Sequence, residues 1–338
     1  MPTARLDLTR GQILAFRRQV GALDARLPQG ARSLRQAAWA GLQDSMPRAA
    51  LLSIHARVER TDASTWEHAS LVQLWGPRYS AYVVAARDLA IFTLGRLPDD
   101  AKGRRRAEDA ASRLRALLGD GRMTYGEAGR ALRVGHNSLR YGATTGTILM
   151  RWDGARQPTI WIAPRSEVEP GTARLELARR HLHVFGPSTP ESFARWAGLA
   201  GRGAVAAFQA LGKALVPVRT PVGDSWILAS DEPRLRAAAG PAAPARLLPS
   251  GDTYFLLQGR ERALLVPDAR RRSALWTPRV WPGALLVDGE IAGVWRRDQR
   301  TLTIETWSRL ARAAREAVEA EAAALPLPGN AEPVAVRW

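Results

Sequence analysis

The chain of 338 residues contains no cysteine and only two lysines, Lys102 and Lys213. The absence of cysteine excludes disulfides, thiolate zinc sites, iron–sulfur clusters and a cysteine nucleophile. The five histidines are scattered, and the sequence motifs of phosphate-binding loops, zinc proteases and serine hydrolases are missing. We therefore expect neither a metal site nor a cofactor.

Long apolar segments are also missing from the sequence. The N-terminal residues MPTARLDLTR lack the apolar core of a secretory signal. No apolar run reaches the roughly 18 residues that a membrane-spanning helix needs. The sequence therefore predicts a soluble cytoplasmic protein without membrane contacts.

Arginine dominates the charge of the chain. Lysine and arginine together number 49 against 32 acidic residues, which gives a net charge of +17. A GC-rich coding bias can explain arginine in place of lysine, but it does not explain the excess charge. Such an excess attracts polyanions, and no basic amphipathic helix with an aromatic apolar face stands out. Nucleic acid is therefore the expected partner.

The order of predicted elements indicates an α+β protein made of repeated winged-helix modules. In the clearest copy, a helix at 124–132 is followed by a tight turn, a second helix at Asn137–Ala143 and two strands that form a wing. Three Thr/Ser-to-Gln/Glu pairs fit helix capping boxes: Thr9–Gln12, Ser33–Gln36 and Thr124–Glu127. We predict modules at 1–96, 97–168 and 169–232, a β-rich domain at 233–325 and a loose tail at 326–338.

The β-rich domain begins after a segment rich in alanine, proline and glycine, which we interpret as a linker. Asp288-Gly289 is a strong two-residue hairpin signal, and Ser308–Ala324 is amphipathic and predicts a terminal helix. The strands predicted here are Tyr254–Gln258, Ala284–Val287, Ile291–Arg296 and Leu302–Thr306.

A polar insertion, Gln43-Asp44-Ser45, interrupts two apolar segments at a predicted helix–helix junction. In one interpretation Ser45 caps the next helix, which would have Pro47 in its first turn, and Asp44 interacts with the helix dipole. That interpretation leaves Gln43 unexplained.

Five segments together carry a resemblance to a known family: GLQDSMPRAALLSIHARV, LVQLWGPRYSAYVVAARDL, ARRHLHVFGPSTPESFARWAGL, RLLPSGDTYFLL and VDGEIAGVWRR. Over about residues 5–325 the chain resembles the winged-helix DNA-binding family that contains the bacterial AlkZ and YcaQ alkylpurine DNA glycosylases. The resemblance implies three tandem winged helices and a C-terminal β region around a basic concave surface that grips duplex DNA. It also implies base-excision repair by hydrolysis of the N-glycosidic bond of N-alkylated purines, some of them in interstrand crosslinks.

The resemblance transfers the family's catalytic motif to the polar insertion. Gln43 matches the first motif position, and Ser45 occupies the second, where the family has Gln or Asp. Asp44 supplies a carboxylate one position away. The family's Arg-Gly-Thr-x-His stretch is replaced by Arg78-Tyr79-Ser80-Ala81-Tyr82. The candidate catalytic residues are therefore Gln43 with Asp44 or Ser45.

Two hypotheses remain open from the sequence. The first is a metal-free DNA glycosylase, and the second is a non-catalytic winged-helix protein that acts as a regulator or binds a lesion or DNA structure. Both imply a monomer bound to duplex DNA of the bacterial nucleoid, with weak sequence preference. The candidate DNA contacts are Arg78, Asn137, Arg140, Arg151, Arg202, Arg296 and Arg297.

Overall fold

The computed structural model describes residues 5–154, 156–237, 239–327 and 334–338. Residues 1–4 of the first predicted module and 328–333 of the predicted tail lie outside these ranges, as do Ala155 and Ala238. Within the described ranges the chain has the predicted α+β fold, with helices arranged around four separate sheets. None of the helices in these ranges is long and apolar enough to cross a membrane.

Helix starts follow the local capping signals in two of the three predicted cases. Thr9 and Thr124 form complete capping boxes with Gln12 and Glu127. The prediction for Ser33 is wrong: its helix begins at Ala31, so Ser33 falls inside the first turn and is buried there. The α-helices are α1 (Arg10–Val20), α2 (Ala31–Ala37), α3 (Ala49–His55), α4 (Leu89–Thr93), α5 (Ala101–Leu118), α6 (Tyr125–Ala131), α7 (Pro170–Phe185), α8 (Pro190–Ala197), α9 (Gly201–Leu211), α10 (Glu232–Arg236), α11 (Arg262–Leu265), α12 (Ala269–Leu275) and α13 (Arg312–Ala323).

The strands are short and mostly pair with their sequence neighbours. The strands are β1 (Leu6–Asp7), β2 (Leu42–Gln43), β3 (Leu71–Trp75), β4 (Ala81–Ala85), β5 (Arg122–Thr124), β6 (Ile148–Arg151), β7 (Thr159–Ile162), β8 (Leu215–Thr220), β9 (Gly223–Leu228), β10 (Ala245–Leu248), β11 (Gly283–Val287), β12 (Glu290–Asp298), β13 (Thr301–Thr306) and β14 (Ala335–Arg337). Three sheets have three strands, in the orders β2-β4-β3, β5-β7-β6 and β1-β8-β9, and the fourth runs β10-β11-β12-β13-β14.

The first sheet positions the polar insertion. Apolar runs at Leu71–Leu74 and Ala81–Val84, with Gly76-Pro77 between them, predict a hairpin, and strands β3 and β4 form it. Strand β2 is the edge strand beside β4. In this register Gln43 lies opposite Tyr82. The helix after the insertion begins at Ala49, so Pro47 precedes it and is not in its first turn as predicted.

The second sheet belongs to the clearest winged-helix pattern. Its predicted second helix at Asn137–Ala143 is a 3-10 helix spanning His136–Thr145. Hydroxyl groups within this segment donate to carbonyls three residues back, as Thr144 does to Tyr141 and Thr145 to Gly142. These local bonds compete with the α-helical pattern. The segment still packs closely on α5.

The third sheet joins the N-terminus to the third predicted module. Strands β8 and β9 form the wing hairpin that the runs Leu215–Val218 and Ser225–Leu228 predict. Strand β1 pairs with β8 in parallel, with Leu6 opposite Val218. Helices α7, α8 and α9 precede this hairpin, as the sequence indicates. Strand β1 therefore lies beside a strand more than 200 residues away in sequence.

The fourth sheet contains the C-terminal strands and corrects three predictions. Residues 254–257 are buried, but the predicted strand Tyr254–Gln258 does not form, because its first three backbone N–H groups bond to Asp252 and Arg17 Nη2 donates to the Tyr254 carbonyl at 2.6 Å. The terminal helix begins at Arg312 rather than Ser308. Residues 335–337, assigned to a loose tail, form β14 beside β13.

A shared core joins the sheets. One cluster of buried apolar side chains includes Leu14 of α1, Tyr82 of β4, Phe193 of α8 and Phe255 after β10. Side chains from the N-terminal, central and C-terminal parts of the chain therefore pack against one another. The polar insertion lies where these parts meet.

Candidate functional site

The insertion Gln43-Asp44-Ser45 follows the edge strand β2. Side chains alternate along an extended chain, so Gln43 and Ser45 point to one side and Asp44 points to the other. Burial follows the same alternation: Asp44 is 2% exposed, whereas Ser45 is exposed and Gln43 is half-buried. The insertion therefore presents two of the three candidate catalytic residues at the surface.

Three side chains hold the Gln43 amide. Its Nε2 donates to Ser45 Oγ at 2.5 Å, and its Oε1 accepts from Arg78 Nη2 at 3.1 Å. The Tyr82 hydroxyl also donates to Oε1, at a longer 3.5 Å. Burial raises the pKa of Tyr82 to about 12, so this phenol keeps the proton that it donates. The amide is thus held in one orientation, in contact with Ser45.

Asp44 lies on the inner side, where both of its carboxylate oxygens are occupied. Oδ1 accepts from the backbone N–H of Ala50 at 2.9 Å, and Oδ2 accepts from Gln73 Nε2 at 2.6 Å. Burial raises the pKa of Asp44 to about 6, although these two hydrogen bonds and nearby arginine charges act in the opposite direction. Asp44 therefore caps the start of α3, the role that the sequence suggested for Ser45.

Gln73 is a residue of this site that the sequence analysis did not single out. Its Nε2 donates to Asp44, and its Oε1 accepts from the backbone N–H of Trp152 at 2.5 Å. Its amide thus links the insertion to the hairpin of β6 and β7. A glutamine inside the apolar strand LVQLW is the signal that could have identified it.

Strained backbone surrounds the Gln43–Ser45 pair. Three non-glycine residues adopt left-handed conformations: Arg48 at φ 64°, Arg78 at φ 55° and Tyr79 at φ 57°. Each such conformation costs on the order of 1–3 kcal/mol, and such residues cluster at functional sites. Guanidinium–ring contacts accompany two of them, with Arg48 over Trp66 at 4.5 Å and Arg96 over Tyr79 at 5.0 Å.

Two glycines allow other parts of the chain to approach the insertion closely. Gly251, at φ +77°, lies so near Gln43 that a Cβ would stand 3.1 Å from Nε2. Gly154, between β6 and β7, lies so near Pro47 that a Cβ would stand 2.7 Å from the proline Cβ. The insertion is therefore bordered by the segment after β10 through Gly251 and by the β6–β7 hairpin through Gly154.

A buried ion pair fixes the segment that carries Gly251. Arg57, just after α3, makes two hydrogen bonds of 2.7 Å with the Asp252 carboxylate. The same carboxylate accepts from Ser53 Oγ at 2.7 Å. The Arg57 and Asp252 side chains are 2% and 0% exposed, so each depends on the other for compensation of its charge.

Two of the predicted DNA contacts, Arg78 and Arg151, lie at the insertion. Arg78 donates to Gln43, as described above. Arg151 lies over the Trp66 ring at 3.9 Å and pairs with Glu67 at 2.6 Å. Its side chain is 41% exposed, which leaves it accessible to a ligand.

Arg296 and Arg297 are exposed on β12. Together with Pro47 they line a surface cavity. Arg297 Nη1 donates to the carbonyl of Gln299 at 3.0 Å, and burial of part of the side chain lowers its pKa. Both arginines thus give the C-terminal side of the site a basic rim.

The remaining predicted DNA contacts lie elsewhere. Arg140 Nε donates to the Tyr125 hydroxyl at 2.8 Å, and that hydroxyl donates to Asn137 Oδ1 at 3.4 Å. Arg202 is exposed in the first turn of α9. Of the seven predicted contacts, the structure therefore brings Arg78 and Arg151 to the insertion. It brings Arg296 and Arg297 to a cavity shared with Met46 and Pro47, which follow the insertion.

The chemistry available at the insertion is that of an amide, a hydroxyl and guanidinium groups. The Ser45 hydroxyl accepts from Gln43, so its own proton is available to a water or a sugar oxygen. Within the described ranges, no three histidine or acidic side chains are grouped so that they could hold a metal ion. The arrangement can orient a water molecule beside cations that bind phosphate.

Comparisons with known proteins give a consistent result. Residues 37–326 match the family model described as DNA glycosylase AlkZ-like. A Streptomyces sahachiroi protein named interstrand DNA cross-link repair glycosylase is 30% identical over 160 residues, which cover 46% of this chain and 42% of that protein. The solved structure of Streptomyces sahachiroi DNA glycosylase AlkZ aligns with a TM-score of 0.79 over 98% of this chain and 100% of that one. At 20% identity, the structural likeness establishes a shared fold.

Proposed function

Because the chain belongs to the AlkZ-like DNA glycosylase family, whose model it matches over residues 37–326, we propose that it excises N-alkylated purines from duplex DNA. The name of the Streptomyces relative supports purines in interstrand crosslinks as substrates. The observation that carries the proposal is the Gln43 amide, held at the surface by Ser45 and Arg78. We expect the protein to act as a monomer on nucleoid DNA in the cytoplasm.

The proposed reaction is hydrolysis of the bond between C1′ of the deoxyribose and N9 of the purine. Alkylation at N7 or N3 makes the purine cationic. When the C1′–N9 bond breaks, its electron pair neutralises the purine, and positive charge develops on the sugar as an oxocarbenium ion. The oxygen of water bonds to C1′ and releases one proton to solvent. The products are a free alkylated base and an abasic site.

Gln43 and Ser45 would act on the attacking water. Gln43 Nε2 donates to Ser45 Oγ, so a remaining lone pair of that oxygen can accept a hydrogen bond from water and orient it towards C1′. Arg78 holds Gln43 Oε1 in the free protein. A DNA phosphate that attracts Arg78 would free this oxygen to accept a second hydrogen bond from the water.

Asp44 would act as a positioning residue. Its two oxygens hold Ala50 and Gln73, so it fixes the insertion between α3 and β3 without contacting the water. The geometry therefore supports the pair Gln43 and Ser45 over the pair Gln43 and Asp44.

DNA binding would come mainly from arginine and phosphate. The chain carries a net charge of +17, and four predicted contacts lie around the insertion: Arg78, Arg151, Arg296 and Arg297. Each arginine that neutralises a phosphate releases counterions, so affinity should fall steeply as salt rises. Phosphate contacts carry little sequence information, which favours recognition of a lesion over recognition of a sequence.

A non-catalytic DNA-binding protein is the second candidate function. One observation favours it: Ser45 stands where the family motif has Gln or Asp, and the nearest carboxylate in sequence, Asp44, is 2% exposed. Serine is a weak base without a partner, so water activation by this pair would rest on orientation alone. Both candidates share salt-sensitive binding to duplex DNA.

The test is release of free base from a duplex that contains one N7-methylguanine. Released base is quantified by mass spectrometry, and abasic sites are quantified by alkaline strand cleavage. We expect wild-type protein to release 7-methylguanine and Gln43→Ala to do so on the order of 100-fold more slowly. Exposed Gln29→Ala is the matched control and should retain the wild-type rate.

Two further results distinguish the candidates. Ser45→Asp provides the acidic residue of the family motif beside Gln43, and we expect faster base release if Ser45 orients the water. Absence of release by wild type and by Ser45→Asp, with tight binding that weakens as salt rises, would reject the glycosylase and favour the non-catalytic protein. Absence of DNA binding would reject both.

A further inference from the structure

A basic cavity of about 660 Å³ is lined by residues of helices α1, α2, α7 and α10. Four arginines contribute to its lining: Arg32 and Arg35 on α2, Arg87 just after β4, and Arg234 on α10. Within the described part of the chain, none of the residues that line the cavity is acidic. Positive charge is therefore concentrated in one concave site.

The guanidinium groups at this cavity are available to a ligand. Among the described residues, the side chains of Arg32, Arg35 and Arg234 have no hydrogen-bond or ion-pair partner. The Arg87 side chain is 62% exposed and only approaches Asp88, with 3.9 Å between Nε and Oδ1. Like charges repel one another. A bound anion would offset this repulsion and accept charge-assisted hydrogen bonds from the arginines.

Polar contacts from α7 hold the walls of the cavity in place. The buried Arg180 guanidinium binds both oxygens of the Asp88 carboxylate, at 2.7 and 3.0 Å, and donates to the Trp39 carbonyl at 3.2 Å. It thereby ties α7 to the segments that follow β4 and α2. His183 Nδ1 donates to the Asp231 carboxylate at 2.9 Å, just before α10. A site that is already fixed loses less conformational entropy when it binds a ligand.

The basic cavity is separate from the proposed catalytic site. Gln43 lies opposite Tyr82 near the start of β4, whereas Arg87 follows the end of that strand. A strand rises about 3.3 Å per residue, so the two ends of β4 are roughly 13 Å apart. As far as the structure describes the chain, no residue that lines the cavity belongs to the insertion or to the predicted DNA contacts. The cavity is therefore a second site.

We propose that this cavity binds a small anion that carries two or more linked phosphate groups, such as inorganic polyphosphate or a nucleoside triphosphate. Planar guanidinium groups match the oxygens of phosphate and bind them in pairs. Four arginines from three parts of the chain exceed what one phosphate needs, and about 660 Å³ lies within the size range of small-molecule sites. The inference does not depend on the proposed glycosylase function.

The concave shape favours a phosphate chain over the backbone of duplex DNA. Neighbouring phosphates of a polyphosphate share a bridging oxygen, whereas a sugar separates successive phosphates of a DNA strand. A phosphate chain therefore brings more negative charge into one cavity than DNA does. The arginines converge on the cavity from α2, from the end of β4 and from α10, an arrangement that suits a compact ligand.

The test is isothermal titration calorimetry with sodium tripolyphosphate at near-physiological salt. The double variant Arg35→Gln, Arg87→Gln should bind on the order of 100-fold more weakly than wild type, because each lost charged hydrogen bond weakens binding about tenfold. The matched control is the double variant Arg105→Gln, Arg309→Gln, which removes the same charge at two exposed positions outside the cavity. It should bind like wild type. Thermal unfolding checks that both double variants fold.

Two comparisons identify the ligand. ATP that binds as tightly as tripolyphosphate supports recognition of the phosphate chain alone, and tighter binding of ATP supports a nucleotide as the ligand.

Three results would overturn the proposal. The first is absence of tripolyphosphate binding by wild type. The second is equal weakening in both double variants, because binding would then reflect only the net charge of +17. The third concerns undamaged duplex DNA, measured by anisotropy, to which we expect the two double variants to bind alike. If Arg35→Gln, Arg87→Gln instead weakens duplex binding as much as tripolyphosphate binding, these arginines belong to a DNA-binding surface.

Discussion

The burial of Asp44 has a consequence for stability that can be measured as a function of pH. Burial raises its pKa from 3.8 to about 6 in the folded protein. A raised pKa means that the folded state favours the protonated carboxyl. The contribution of Asp44 protonation to the free energy of unfolding is fully present below about pH 3.8 and is lost as pH rises through about 6. The shift of about two pKa units corresponds to about 3 kcal/mol.

The perturbation is Asp44→Asn, which removes this titration. The variant also has a cost that does not depend on pH, because its NH₂ group must face either the N–H of Ala50 or the NH₂ of Gln73. That lost hydrogen bond should lower the free energy of unfolding by about 1–3 kcal/mol. The titration of Asp44 appears in the free energy of unfolding of wild type minus that of the variant. This difference should shift in favour of wild type as pH falls from about 7 to about 4.

The assay is urea unfolding followed by tryptophan fluorescence at a series of pH values. His55 and His181 are buried with pKa values lowered by burial to about 4 and about 3, so both proteins lose stability in acid for that reason. This effect cancels in the difference. Exposed Asp120→Asn is the control and should show no comparable trend.

Two outcomes would refute this reasoning about Asp44. If the difference in unfolding free energy between wild type and Asp44→Asn stays constant from pH 4 to pH 7, to within about 0.5 kcal/mol, Asp44 is not desolvated in the folded protein. Loss of base release in Asp44→Asn without any loss of stability would mean that the carboxylate acts on the substrate.

Three further predictions concern the surroundings of the site. Gly251→Ala adds a methyl group 3.1 Å from Gln43 Nε2, at a backbone of φ +77°. Base release should therefore fall about tenfold, while the melting temperature falls by only a few degrees. An unchanged rate of base release would argue against this contact. Arg57→Met leaves Asp252 buried and unpaired, so urea unfolding should show a loss of about 3–5 kcal/mol, and a loss below about 1 kcal/mol would contradict the importance of the pair. Arg78→Gln should reduce the slope of log affinity against log salt by about one in anisotropy titrations, and an unchanged slope would exclude a phosphate contact at this position.

Local signals in the sequence identified many elements correctly. The capping boxes at Thr9 and Thr124 and the hairpin turn at Asp288-Gly289 depend on atoms a few residues apart, so the sequence contains the whole interaction. The apolar runs Leu71–Leu74 and Ala81–Val84, with Gly76-Pro77 between them, likewise predict the hairpin of β3 and β4. The same reasoning failed at Tyr254–Gln258, because an apolar run looks alike in a strand and in a buried irregular segment.

The sequence also identified some residues of the candidate site, whereas others were identified only by tertiary contacts. The polar insertion and its likeness to a family motif singled out Gln43, Asp44 and Ser45 from the sequence. The structure adds which of them face outwards, because the alternation after β2 depends on the pairing of β2 with β4. Gln73 and Gly251 became part of the site only through contacts with Asp44 and Gln43 that join segments distant in sequence.

The sequence by itself therefore determined many of the helices and hairpins, the charge and the motif, because each depends on composition or on neighbours along the chain. Only the tertiary structure decided how the insertion is held and what lies next to it. Arg57 and Asp252 are 195 residues apart, and no spacing rule connects them. Their buried pairing brings Gly251 to Gln43, because a charge removed from water must find its partner wherever the folded chain provides one.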